Sequence, residues 1–295
     1  MPQDRRTPWP AATQELARGA PQVGIVIASF NTRRLVAQLV FSLYRMLGRG
    51  EFAQIVVVDN ASTDGSRELL EGLHEAGLIN LVRNRVQEYH GPALTRGVSW
   101  LARRQRTVRP SDRLTHVWVL DSDVIVLRPD SIRDALRVLS ESAAAMVGQR
   151  TGDASYDRLL LNNSEMLQPC SLLFDPARIW RTPFPPFVED GAPATALQVA
   201  VDKAGLRILA FPFVEQGYLL HLGRGTLREV AETGDTTNRY HQWAVSHRDY
   251  HFAGRADGPE LYRSFCDIFA SEVGELDPDA LVEACRSPLL LSLGE

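Results

Sequence analysis

Residues 115–130 read T-H-V-W-V-L-D-S-D-V-I-V-L-R-P-D. Val117, Trp118, Val119 and Leu120 form an apolar run that breaks at Asp121-Ser122-Asp123 and resumes at Val124 to Leu127. A short apolar run bounded by polar residues is the pattern of a buried strand. This one ends in two carboxylates, which are costly to bury unless something compensates them. A turn at Ser122 lets both reach one ion, and hard cations such as Mg²⁺ or Mn²⁺ take oxygen ligands while leaving positions open for phosphate oxygens. Taken alone, the same residues equally describe a solvated loop between two strands.

The sequence upstream repeats the strand-then-polar-loop pattern. Val23 to Ser29 reads as a buried parallel strand, and Arg33 to Leu47 as a helix with Leu35, Leu39, Leu43 and Leu47 on one face and Thr32 at its N-cap. Ile55 to Val58 ends at Asp59-Asn60, and Ser62, Thr63 and Asp64 precede a helix carrying Leu69, Leu70 and Leu73. Ile79 to Val82 is a third short strand, followed by a helix from about Pro92 through Leu101. With the strand leading to Asp121 added, the alternation predicts an α/β fold with a doubly wound, mostly parallel sheet flanked by helices. Such sheets bind ligands at the carboxyl ends of their strands. Asn31, Asp59 and Asp121 each lie just past such an end and are expected to converge.

Several function classes are disfavoured. The first strand–helix loop, Ser29 to Arg33, has no glycine, so the G-x-G-x-x-G cradle for a dinucleotide is missing, as is G-x-x-x-x-G-K-[ST]. A net charge of −4 gives no support for nucleic-acid binding, although the basic residues are almost all arginine, Lys203 being the only lysine. Cys170, Cys266 and Cys285 lack metal-ligand spacing, which predicts a reducing, cytoplasmic setting. No apolar run approaches the ~20 residues of a bilayer span, and residues 1–20 lack a signal-peptide core. Peripheral membrane contact stays open.

Three segments together carry a family resemblance: Ile25-Val26-Ile27-Ala28-Ser29-Phe30-Asn31, Val56-Val57-Val58-Asp59-Asn60-Ala61-Ser62-Thr63-Asp64-Gly65-Ser66 and Leu120-Asp121-Ser122-Asp123. In this order and spacing they resemble the family 2 glycosyltransferases of the GT-A fold, over residues 22–225. The resemblance implies a nucleoside-diphosphate sugar donor, with Asp59 against the base, Asn31, Ser29 and Ser122 lining the donor pocket, and Asp121 facing the ribose. Asp123, together with Asp121, would hold the divalent cation, Mn²⁺ or Mg²⁺. One departure stands out: the family's Asn-X-Gly ahead of the fourth strand is Thr95-Arg96-Gly97 here.

Downstream, Ala144 to Val147, Ser171 to Phe174, Leu206 to Phe213 and Gly217 to Leu220 read as strands, and a helix starts near Pro129. Glu189 and Asp190 precede a helix opened by Pro193 and closed by Gly205, where helix-dipole complementarity alone accounts for acids. By resemblance they form the Glu-Asp motif whose acid is the general base of inverting members, and Asp190 is the preferred base. His221, at a strand end, is either a structural histidine or, as the resemblance implies, a further metal ligand, and Arg224 and Arg228 are candidates to pair the diphosphate. The expected organisation is a loose arm over 1–21, a GT-A domain over 22–225 with donor and acceptor halves meeting near residue 128, and a helical extension over 226–295. The acceptor, the sugar and the oligomeric state are not legible. Two alternatives remain at this point. One is a haloacid-dehalogenase-like phosphatase with Asp121 as nucleophile, and the other a non-catalytic nucleotide-sugar-binding scaffold.

Overall fold

Val23, Ile25, Val26 and Ile27 are all buried, as are Val56, Val57 and Val58. Strands read as unbroken apolar runs when helices cover both faces of a parallel sheet, and that is the arrangement found. A computed structural model describes residues 22–48, 50–152, 159–160, 164–180, 187–188, 194–233 and 249–287. In chain order the first half comprises β1 (Val23–Ser29), α1 (Arg33–Ser42), β2 (Gln54–Asp59), α2 (Ser66–Glu75), β3 (Asn80–Arg83), α3 (His90–Gln105), β4 (His116–Asp121), β5 (Val124–Val126) and α4 (Ser131–Glu141). Then follow β6 (Met146–Arg150), β7 (Leu167–Phe174), α5 (Pro176–Ile179), α6 (Thr195–Lys203), β8 (Ile208–Ala210), β9 (Leu219–His221), α7 (Gly225–Thr233), α8 (Gly258–Val273) and α9 (Pro278–Arg286). The N-terminal arm over residues 1–21, Glu189 and Asp190 lie outside the described residues.

Among the described residues the main sheet has seven strands, in the order β3-β2-β1-β4-β7-β6-β8. Strands β3, β2, β1 and β4 run parallel, β7 is antiparallel to both β4 and β6, and β6 is parallel to β8. Helices α1, α8 and α9 share the core on one face, and α3 and α6 that on the other. The C-terminal helices are thus part of the main core. Phe41 of α1 meets Phe265 and Phe269 of α8 edge-on, with ring centroids 6.0 and 5.2 Å apart.

Register sets the site. Ser29 is level with Asp59 and Ala28 with Asp121, so the carboxyl ends of the three central strands finish together. A separate two-stranded sheet pairs β5 with β9 and places Val124 opposite His221, 97 positions on.

Local expectations were refined in three places. The α1 helix stops at Ser42 and continues as a π-helical turn over Leu43–Leu47. There the Ser42 hydroxyl donates to the Leu39 carbonyl at 2.8 Å and accepts the Val126 N–H at 3.1 Å, tying the helix to β5. Helix α3 begins at His90, two residues ahead of Pro92, which sits in the first turn where no N–H is needed. Gly97 lies against β1 and β2: a Cβ there would come within 2.6 Å of Val26 and 3.1 Å of Val58. Close helix–sheet packing is the reason for a glycine at that position of Thr95-Arg96-Gly97.

Candidate active site

The two loops that follow β1 and β2 are stitched together. Asn31 adopts a left-handed backbone, φ 49°, its N–H donates to Ser62 Oγ at 3.0 Å, and its Oδ1 accepts the Thr63 N–H at 2.8 Å. Asp59 is fully buried, and its Oδ1 accepts the Ser62 N–H at 3.1 Å. Its Oδ2 is buried without a hydrogen bond, with Arg67 Nε 3.7 Å away. A chain of hydroxyls links Ser29 to Thr32 at 3.0 Å and Thr32 to Ser122 at 3.2 Å. Thr32 stands at the start of α1, as the sequence indicated, but its side chain makes no cap bond there. It serves the β4 turn instead, a tertiary partner outcompeting the local one.

The chain does turn at Ser122-Asp123. Asp123 is then fixed from the far end of the protein: its carbonyl accepts the Leu222 N–H at 3.0 Å, and its Oδ2 accepts the Gly225 N–H at 2.9 Å. Together with the β5–β9 pairing, these bonds bring Asp121, Asp123 and His221 into one cluster, with a ligand atom from each lying within 4.8 Å of the others. His221 Nε2 is 3.5 Å from Asp123 Oδ1, and His90 Nε2 is 3.3 Å from Asp121 Oδ1. Asp121 Oδ1 and His221 Nδ1 are buried without hydrogen bonds. Buried polar atoms are normally satisfied, and two carboxylates with an imidazole are a donor set that suits Mn²⁺ or Mg²⁺. The residues therefore fit a divalent cation.

Burial and the cluster's own charges set its protonation. Burial pushes the Asp121 carboxyl up, with His90 opposing it. At Asp123 burial also acts upward, but His221 and the Gly225 N–H outweigh it and hold the carboxyl below its usual range. At His221 burial disfavours the charged ring, yet the Cys170 thiol and the Asp123 carboxylate outweigh that and hold its pKa well above the usual histidine value. If His221 is a ligand, its imidazole must be unprotonated, and a bound cation would displace the proton that the raised pKa favours. Affinity for Mn²⁺ is expected to rise about tenfold per pH unit up to the raised pKa, with one proton released per ion. Calorimetry in buffers of different ionisation enthalpy measures that proton, and none released would remove His221 from the ligand set. Without metal the sense reverses. The His221 contribution to stability is complete below about 6.5 and lost as pH rises through its raised pKa, while that of Asp123 is lost as pH falls through its depressed one.

Other candidates divide. Arg224 is exposed beside the cluster, with φ 62°. Arg228 is committed elsewhere: its guanidinium lies 4.1 Å over the Tyr250 ring and pairs with Glu232 at 2.8 Å. Glu189 and Asp190 lie outside the described residues, but Val188 before them has its backbone packed on Gly91, next to His90. His90, Thr32 and Cys170 were not singled out as site residues by sequence reasoning. Left-handed backbone occurs at Asn31 in the loop after β1, at Ala61 in the loop after β2 and at Arg224 between His221 and Gly225, and strain of that kind gathers at functional sites.

A family model described as Glycosyl transferase family 2 matches residues 24–197, more than half of the chain. The chain belongs to glycosyl transferase family 2. It is a glycosyltransferase enzyme, which sets aside the phosphatase and the scaffold. His221 and Arg224 fall beyond the matched residues. No curated protein sequence matches the chain. Among solved structures, Staphylococcus aureus TarS residues 1–349 in complex with UDP is similar at 12% identity and TM-score 0.50, covering 90% of each chain. Mannosyltransferase PcManGT from Pyrobaculum calidifontis, in complex with GDP-Man and Mn²⁺, shows 17% identity and TM-score 0.48 over 95% of this chain and 89% of that one. Glucosyl-3-phosphoglycerate synthase from Mycobacterium tuberculosis, with Mn²⁺, UDP and glucosyl-3-phosphoglycerate, shows 16% identity and TM-score 0.47 over 72% and 79%. The likeness to TarS is one of fold, and it agrees with the GT-A architecture expected for this family 2 glycosyltransferase. Among the described residues, no helix is long and apolar enough to cross a membrane.

Proposed function

We propose that this glycosyltransferase moves a sugar from a nucleoside-diphosphate sugar to an acceptor hydroxyl with inversion at the anomeric carbon, using a divalent cation, in the cytoplasm. The observation that carries this reading is the cluster of Asp121, Asp123 and His221, level with Asp59 and Ser29 at the carboxyl ends of the central strands. Asp121, Asp123 and His221 would hold the cation, which supplies charge stabilisation for the departing diphosphate. Asp59, buried with one carboxylate oxygen unsatisfied, would take an N–H of the base, and the Asn31, Ser62 and Thr63 bonds hold that wall in place. Ser29, Thr32 and Ser122 form a hydroxyl rail leading to the Asp121 turn.

Inversion calls for one carboxylate placed to remove the acceptor proton as its oxygen attacks from the face opposite the leaving group. Asp190 is assigned that role, with Glu189 beside it in the chain. The packing of Val188 on Gly91 supports the assignment, because it brings the preceding residue to the end of α3 that carries His90. In this reading residues 22–225 hold the donor and acceptor halves, and helices α8 and α9 buttress α1.

The test is a panel of UDP- and GDP-sugars incubated with the protein and Mn²⁺, with and without EDTA. Mn²⁺-dependent release of the nucleoside diphosphate from at least one donor is expected. Release that EDTA leaves unchanged would contradict the metal role, and the anomeric configuration of the product, read by NMR, decides inversion.

A further inference from the structure

Beyond the residues of the family match, the chain returns to the site at His251. The backbone N–H groups of His251 and Phe252 both donate to the Leu222 carbonyl, at 3.0 and 2.9 Å, one residue past His221. Phe252 and Ala253 then take left-handed conformations, φ 51° and 50°, which residues bearing a Cβ adopt reluctantly. The bend turns the Ala253 N–H onto His251 Nδ1 at 3.0 Å. A ring whose Nδ1 accepts a hydrogen bond carries its proton on Nε2, so the bend fixes the tautomer.

The ring lies beside the site. His251 stands edge-on to His221 with ring centroids 6.1 Å apart. It lies over Gly223, where a Cβ would overlap the imidazole at Nε2, and where φ +70° also favours glycine. His251 is exposed. Its Nε2–H therefore sits at the rim of the loop that carries His221, Arg224 and Gly225, the last of which holds Asp123. A fixed N–H donor beside a cation site suits the non-bridging oxygens of a diphosphate, which need hydrogen-bond donors around the metal.

We propose that His251 is a donor-binding residue whose Nε2–H donates to a diphosphate oxygen of the nucleotide held at the Asp121–Asp123–His221 cluster. The inference rests on the donor class given under Proposed function. It gives a purpose to the consecutive left-handed residues at Phe252-Ala253 and to the ring's close seat over Gly223.

Calorimetry with Mn²⁺ and UDP or GDP, whichever the wild-type protein binds, provides the test, with the matching nucleoside followed by saturation-transfer NMR. His251→Ala is expected to weaken diphosphate binding roughly 10- to 100-fold, the worth of one hydrogen bond to a charged group. Nucleoside binding should change less than about twofold, because the base is held elsewhere. His251→Gln, whose amide N–H can replace Nε2–H, should recover most of the affinity. Diphosphate affinity unchanged in His251→Ala, or loss shared equally by nucleoside and diphosphate, would overturn the inference while leaving the donor class intact. Wild-type protein that binds neither UDP nor GDP with Mn²⁺ would overturn the donor class, and the inference with it.

Discussion

Asp123→Asn is expected to abolish Mn²⁺ binding at micromolar concentrations and to lower kcat/KM by ~10³-fold or more. The size follows from the several kcal/mol that a cation supplies at a leaving phosphate, each ~1.4 kcal/mol being a factor of ten. Asparagine is the informative substitution because it keeps the shape and an oxygen for the Gly225 N–H, a bond of 2.9 Å. Alanine would also remove the side-chain oxygens that face His221 and the Gly225 N–H and leave a gap at a buried position, which would confuse folding with binding. Electron paramagnetic resonance of added Mn²⁺ measures the binding directly. Wild-type affinity in Asp123→Asn, with the thermal midpoint unchanged, would show that the carboxylate is not a ligand.

The second large effect concerns the base. Asp190→Asn should leave donor affinity within about twofold of wild type and lower kcat by ~10² to 10⁴-fold, the usual contribution of general-base catalysis. Because the base acts on the acceptor, loss should be confined to transfer, and donor hydrolysis should fall less. Glu189→Gln is the control, with kcat expected within about fivefold of wild type on the same principle. If the two results are exchanged, the base is Glu189. If neither substitution lowers kcat, the carboxylate that takes the proton lies elsewhere in the chain.

Much of the fold was legible because its central strands are buried on both sides. Val23–Ser29, Gln54–Asp59 and His116–Asp121 read as apolar runs with little alternation, and that pattern belongs to covered parallel sheets. Their order could not be read. Nothing local in Leu167–Phe174 says that this strand inserts antiparallel between β4 and β6, since strand order depends on contacts distant in sequence. The site divides in the same way. Asp59, Asp121 and Asp123 announce themselves at strand ends, and His221 was visible as a histidine closing a short apolar run. What the local pattern cannot carry is the pairing of Val124 with His221, which converts a lone histidine into the third member of a cluster. Thr32 shows the same limit from the other side: its sequence context favours a helix cap, yet a bond to Ser122, 90 positions on, claims the hydroxyl. His90 was passed over because its partner, Asp121, comes from another strand end. His251 closes a run that also holds Tyr240, His241, Trp243, His247 and Tyr250, a composition that suits core packing as well as it suits a site.

In the proposed function, carboxylates from the β4 turn and an imidazole from β9 hold one cation against a nucleoside diphosphate. Crystals soaked with Mn²⁺ and UDP or GDP, measured at the manganese absorption edge, test it most directly. A single anomalous peak is expected in contact with Asp123 and His221, with diphosphate oxygens on its open side. Bound nucleotide with no such peak, or a peak coordinated by neither residue, would contradict it.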